Sequence, residues 1–311
     1  ALDMLAANDA TQVIAFVSKP PSPQVRTRII AAMQEVGKPV VALFLGSKPE
    51  QRREGNVWLA NSLSDAAQLA VLLMRVAQQR QTQPEVAGKG ICGLYAGGTL
   101  AAEAAMLLSA GLGVPVSESH AQGVMLEASG HRIVDLGDDS YTLGRPHPMI
   151  DPATRSIEIE KLAAQTDVGV LLLDVVLGYG ACADPAGAVV EAVSQVRSRR
   201  TAPLVVIATL TGTEADPQGR SGQSEKLREA GIAVVETLEE AVLLAISLTH
   251  HRAHNARATP GTLLDGVQVI NAGLRSFALD LQSSGTPVVH YQWAPIAGGN
   301  ARLASLLKQL H

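Results

Sequence analysis

Residues 88–115, GKGICGLYAGGTLAAEAAMLLSAGLGVP, constrain the fold more than any other stretch. Residues 91–95 are a short apolar run of strand type, Gly97 and Gly98 make a tight turn, and Thr99 opens an alanine-rich segment with the composition of a good helix. A strand therefore feeds a glycine turn and a helix start. The first amides of that helix point into the turn with the positive end of the macrodipole behind them, which suits an anion. Without Cβ atoms at 97 and 98, a phosphate or a carboxylate can approach the backbone closely. The same two glycines also serve a plain reversal between strand and helix.

The rest of the chain alternates in the same way. Apolar runs predict strands over 12–17, 39–45, 56–59, 169–177, 203–209 and 232–236. Helical patterns lie over 24–36, from a Ser62 or Ser64 cap to about Arg80, and over 156–165, 185–197, 225–230 and 238–248. The charged segment 48–54 reads as mobile, and 211–223 as a loop. Alternating strand and helix is the pattern of an α/β layer fold. Aromatic residues are only 3% of the chain, so the core is aliphatic, as in parallel strands covered by helices.

Residues 3–76 and 160–248 share one order of landmarks, and both end in related helix starts, SLSDAAQLAVLL and TLEEAVLLAISL. This predicts an internal duplication. Polar 78–89 and 250–262 read as connections, giving domains over 1–80, 88–250 and 262–311. In the last, a strand (VQVIN), a helix (LRSFALDLQSS), a strand (PVVHYQW) and a final helix capped around Gly298, Gly299 and Asn300 are expected. The opening ALDMLAAND resembles the end of an amphipathic helix, so the first domain is expected to be incomplete at its N-terminus.

A formal net charge of −4 provides no basic field for nucleic acid. No apolar run is long enough to span a bilayer and no signal peptide opens the sequence, so a cytoplasmic protein without a membrane partner is expected. Cys92 and Cys182 have no metal-ligand or C-x-x-C spacing and read as small buried hydrophobes. His250, His251 and His254 read as a solvated helix end rather than a metal site. No Walker A or H-E-x-x-H pattern occurs, and no Ser-His-Asp or Cys-His set can be assembled.

Five loops follow predicted strands, at 96–99, 137–150, 178–184, 211–222 and 271–275, and in open parallel sheets such loops form the ligand site. The richest is 137–150: Asp138 and Asp139 suit acceptors or bases, Arg145 suits a carboxylate or phosphate, and His147 is restrained by Pro146 and Pro148. Thr211, Gly212 and Thr213 offer a second set of anion donors beside Gly97, Gly98 and Thr99. Each loop also reads as a surface connection.

Four stretches, CGLYAGGTLAAEAA, IVDLGDDSYTLGRPHPMID, VLLLDVVLGYGACADPA and INAGLRSFALDLQ with VVHYQWAPIAGG, resemble the NDP-forming acyl-CoA synthetases, the relatives of the succinyl-CoA ligase alpha subunit. The resemblance is closest to the FdrA-type branch and covers nearly the whole chain. It implies repeated flavodoxin-like parallel sheets with helices on both faces. Such domains usually follow a Rossmann CoA-binding domain that has no counterpart here. It also implies that CoA and ATP or ADP are bound through a missing domain or a partner chain. A homo-oligomer or a partner subunit is implied, with an acyl phosphate, a CoA thioester or carbamoyl phosphate as the small molecule; the alternatives are a carbamoyltransferase subunit or a non-catalytic scaffold. Gly97, Gly98, Thr99 and Glu103 match the family's Ser-Gly-Thr-Leu-x-x-Glu helix start, and Gly137, Asp138 and Asp139 fall near its Gly-Gly-Asp loop. The family's phosphorylated histidine has no counterpart, because the loop after the strand at 204–208 reads TGTEADPQGRSGQSEKLREAGI.

Overall fold

The computed structural model describes residues 2–250, 269–272, 274–291, 300 and 302. The chain divides into two compact units, a smaller one of residues 1–11, 35–37 and 255–311 and a larger one of 12–34 and 38–254. Helix α1 (Leu2–Ala7) belongs to the smaller unit.

The larger unit opens with β1 (Ile14–Ser18), α2 (Pro23–Gln34), β2 (Val40–Phe44), β3 (Arg53–Glu54), β4 (Val57–Leu59) and α3 (Leu63–Thr82). Their sheet has the order β1-β2-β4-β3, parallel except for β3. The segment expected to be mobile thus ends in an edge strand. Arg53 lies 4.4 Å above the Trp58 ring, and Glu54 pairs with Arg26 at 2.8 Å, which holds that edge down.

A second sheet follows, built from β5 (Gly90–Tyr95), α4 (Gly98–Leu112), β6 (Val124–Ala128), β7 (His131–Asp135), the single turn α5 (Asp139–Thr142), α6 (Ala153–Lys161), β8 (Val168–Val176), α7 (Pro185–Arg199), β9 (Val205–Thr211), α8 (Arg220–Glu229), β10 (Ala233–Val235) and α9 (Leu238–Thr249). The spatial order is β10-β9-β8-β5-β7-β6, and only β6 runs antiparallel. Taken in chain order, the parallel strands lie second, first, third, fourth, fifth, the flavodoxin-type doubly wound arrangement. This is the fold the sequence resemblance implied.

Both faces of this sheet are covered. On one, Leu94, Leu171, Leu173 and Val206 pack against Ile159 of α6, Val189 and Val193 of α7 and Leu227 of α8. On the other, Ile91, Val170, Leu172 and Ile207 pack against Ala101, Ala104 and Leu108 of α4 and Leu244 and Ala245 of α9. This double covering explains why β8 reads as an unbroken apolar run.

The order β1, α2, β2, then β4, α3 recurs as β8, α7, β9, then β10, α9, as the duplicated landmarks predicted. The two final helices start alike. Ser62 Oγ accepts from the Asp65 amide at 3.1 Å, and Thr237 Oγ1 accepts from the Glu240 amide at 3.1 Å. Leu243 of α9 reaches the core formed by Val41, Leu43, Leu69 and Leu73, so the two sheets share packed side chains within one unit. Of the polar stretch 78–89, residues 78–82 form the end of α3 and the rest joins that helix to β5.

Helix α8 begins at Arg220, five residues before the predicted 225–230, because Glu214 Oε2 accepts from the Ser221 amide at 2.8 Å and caps it. In the smaller unit, β11 (Val269–Asn271) pairs in parallel with β12 (Val288–His290), and α10 (Arg275–Ser283) lies between them in the chain. His251, His254, Gly298, Gly299 and the expected final helix lie outside the described residues, apart from Asn300 and Arg302. No helix among the described residues is long and apolar enough to cross a membrane.

Candidate functional site at the switch point

Strands β5 and β8 are neighbours whose outgoing chains diverge, β5 into α4 on one face of the sheet and β8 into α7 on the other. Such a divergence opens a crevice at the carboxyl ends of the strands. Asp174, fully buried in β8, spans it. Its Oδ1 accepts from the Ala96 amide at 2.8 Å and its Oδ2 from the Gly97 amide at 2.8 Å. Arg155 of α6, also buried, donates from Nη1 to the Asp174 carbonyl at 2.6 Å and to Oδ1 at 3.2 Å. Burial pulls the Arg155 guanidinium below its ordinary range, and the Asp174 charge opposes this.

The protein's own carboxylate therefore takes the Gly97 amide, the first donor expected for a ligand. The next amides of α4, at Gly98 and Thr99, have no hydrogen-bond partner among the described residues, since intrahelical bonding starts with Ala101 donating to Gly97.

Asp135 ends β7 on the other side of β5. Its Oδ1 accepts from the Gly137 amide at 2.8 Å. Its Oδ2 faces Gly98 so closely that a Cβ there would lie 2.6 Å away. Burial pushes the Asp135 carboxyl upward; the Gly137 bond and His147 oppose this, and Asp138 and Asp174 add to it. His147 Nδ1 accepts from the Met149 amide at 3.2 Å, which leaves the proton of the neutral ring on Nε2. A Cβ at Gly137 would lie 2.7 Å from His147 Nε2 and 3.0 Å from Asp135 Oδ1, so imidazole and carboxylate both border that glycine.

The other predicted residues stand apart from this point. Asp138 caps α5, accepting from Ser140 N at 2.9 Å and Ser140 Oγ at 2.6 Å, and these bonds hold its carboxyl below the usual range. Asp139 and Arg145 are exposed on the same loop. Thr211 closes β9, and its carbonyl accepts from the Leu177 amide at 2.9 Å. Gly212 follows at φ +140°, and the exposed Thr213 donates from N at 2.6 Å and from Oγ1 at 3.1 Å to Asp216. The structure thus gathers Gly97, Gly98, Thr99 and His147 with Asp135, Asp174 and Arg155. Of the three residues not anticipated, Asp174 carried a signal as the one charge in VGVLLLDVV. Asp135 and Arg155 carried none.

Sequence comparison finds that residues 94–248, which hold most of the doubly wound sheet, match the family described as CoA-ligase. Among curated proteins, uncharacterized protein YahF of Escherichia coli (strain K12) is 31% identical over 268 residues, which are 79% of this chain and 52% of YahF. Among solved structures, PH0766 from Pyrococcus horikoshii OT3 aligns with a TM-score of 0.42 at 16% identity over 80% of this chain and 54% of that one. The dinucleotide forming acetyl-coenzyme A synthetase 1 of Ca. Korarchaeum cryptofilum, solved in complex with phosphate and ADP, aligns with a TM-score of 0.42 at 18% identity over 79% and 54%. The chain spans about half the length of these relatives.

Proposed function

We propose that this chain is an acyl-CoA synthetase-like protein of the FdrA type whose crevice between β5 and β8 receives a small carbonyl phosphate. The observation that carries the reading is the pair of amides at Gly98 and Thr99, without a hydrogen-bond partner among the described residues, on one side of Asp135, with His147 Nε2 over Gly137 on the other. Amides at a helix start and a fixed imidazole donor are the groups that stabilise a phosphate or a developing oxyanion. On this reading CoA is the acceptor, and ATP or ADP is held by a further domain or a partner chain, in a homo-oligomer or with a second subunit.

A specific observation favours a second acceptor. The turn between β9 and α8, residues 212–219, contains no histidine, and Glu214 already sits on the Ser221 amide. A phosphohistidine relay has no nitrogen to use at that helix. Transfer from carbamoyl phosphate to an amine needs no such relay.

Thermal unfolding with acetyl phosphate, carbamoyl phosphate, CoA and ADP tests both readings. A ligand at 100 times its Kd stabilises the fold by about 2.7 kcal/mol. A shift with acetyl phosphate and CoA supports the first reading, and one with carbamoyl phosphate alone the second. A flat response to all four leaves a scaffold that kept the architecture without the chemistry.

A further inference from the structure

Asp135 and His147 are titratable side chains of the crevice that rest on the same glycine, Gly137, and each keeps one side-chain atom without a hydrogen-bond partner among the described residues. Asp135 Oδ1 is engaged by the Gly137 amide, while Oδ2 has no hydrogen-bond partner among the described residues and faces the start of α4. His147 Nδ1 is engaged by the Met149 amide, so its free atom is Nε2, which carries the proton. Gly98 and Gly137 are the backbone positions against which these groups rest, and a methyl at either would meet Oδ2 at 2.6 Å or Nε2 at 2.7 Å. By contrast, Asp138 is committed to its turn and Asp139 is exposed.

We infer that Asp135 and His147 work as a proton-handling pair on a bound carbonyl phosphate, with Asp135 as the base for the incoming nucleophile and His147 as the donor to the carbonyl oxygen. The inference rests on the carbonyl-phosphate reading above and assigns its chemistry to atoms. A thiol or amine adds to the carbonyl carbon, and its proton passes to Asp135 Oδ2. His147 Nε2–H bonds the carbonyl oxygen as negative charge gathers there and keeps its proton. The bond from the carbonyl carbon to the bridging oxygen then breaks, the carbonyl reforms, and phosphate departs with the proton from Asp135. No oxidant, metal or further reactant enters the balance. The burial that raises the Asp135 carboxyl brings its proton affinity toward the working range of a general base.

The test is phosphate release from acetyl phosphate with CoA, and from carbamoyl phosphate with an amine, followed against pH in the full chain. Asp135→Asn is expected to lower kcat by about 100-fold with little change in KM and to remove the acid-side limb of the profile. His147→Gln is expected to lower kcat by about 100-fold while keeping that limb. Asp135→Ala should regain rate with added formate, a response that a merely structural carboxylate would not give, and it stands in if the Asn variant does not fold. A wild-type protein that releases no phosphate overturns the carbonyl-phosphate reading and this assignment with it. Release that survives both substitutions, or an acid limb that persists without Asp135, overturns the assignment alone.

Discussion

At the scale of single residues, the glycines after β5 make room for the protein's own charges. Gly97 gives its amide to Asp174, and Gly98 leaves space for Asp135. The sequence shows that something negative can come close there; it does not show that two aspartates of the chain do so first. Asp174 and Arg155 are a buried pair, so removing one partner strands the other in the core. Asp174→Ala is expected to cost about 3–5 kcal/mol in urea unfolding. A second residue sets a pH dependence away from the crevice. His131 is buried, its Nδ1 accepts from the Ile91 amide at 3.2 Å, and its ring lies 5.3 Å from that of His250. Burial, and then the His250 charge, hold its pKa below the ordinary imidazole value. The neutral ring is thus favoured in the fold, and the unfolded chain binds the extra proton. This contribution is complete above the unfolded value of about 6.5 and is lost as pH falls toward the lower folded value. Urea unfolding between pH 8 and pH 5 should show that decline, to which His250, also held low by burial and Lys89, adds, and His131→Gln should reduce its slope. An identical slope in the variant would remove His131 as its source.

At the scale of elements, the legible parts are those whose pattern is set by burial. Strand β8 shows as an aliphatic run because it is covered on both faces, and α4 and α9 show through their alanine and leucine content. Strand β3 and the start of α8 were illegible because side chains outside those elements hold them: Trp58 and Arg26 for β3, and the Glu214 carboxylate for α8. The same distinction runs through the site. His147 stood out between its prolines, whereas Asp135 and Arg155 acquire meaning only once β7 and α6 are placed around β5 and β8. The duplication is an element-level property and has an energetic test. Ser62 and Thr237 cap equivalent helices through bonds of equal length. Ser62→Ala and Thr237→Ala should therefore cost similar amounts, about 1 kcal/mol each, in chemical denaturation. A loss at one helix and none at the other would show that the related sequences no longer perform the same local task.

At the scale of the larger unit, the question is whether its two sheets are one cooperative body. The polar stretch 78–89 reads as a boundary in the sequence, and Leu243 of α9 packs against the core of the first sheet with Leu69 and Leu73 of α3. Side chains shared in this way couple the stability of both sheets, because exposing α3 also uncovers apolar surface of α9. Trp58, buried in β4, reports on the first sheet, and Trp293, outside the described residues, can be removed as a second fluorophore by Trp293→Phe. In that background, Asp174→Ala weakens the second sheet at a position far in sequence from Trp58. With one cooperative body, the Trp58 fluorescence transition moves to lower urea by the same amount as the far-ultraviolet circular dichroism transition. With two independent bodies, the Trp58 midpoint stays where it was while the dichroism curve splits into two steps. Leu243→Ala, which thins the shared core, should bring the first pattern toward the second by separating the two midpoints.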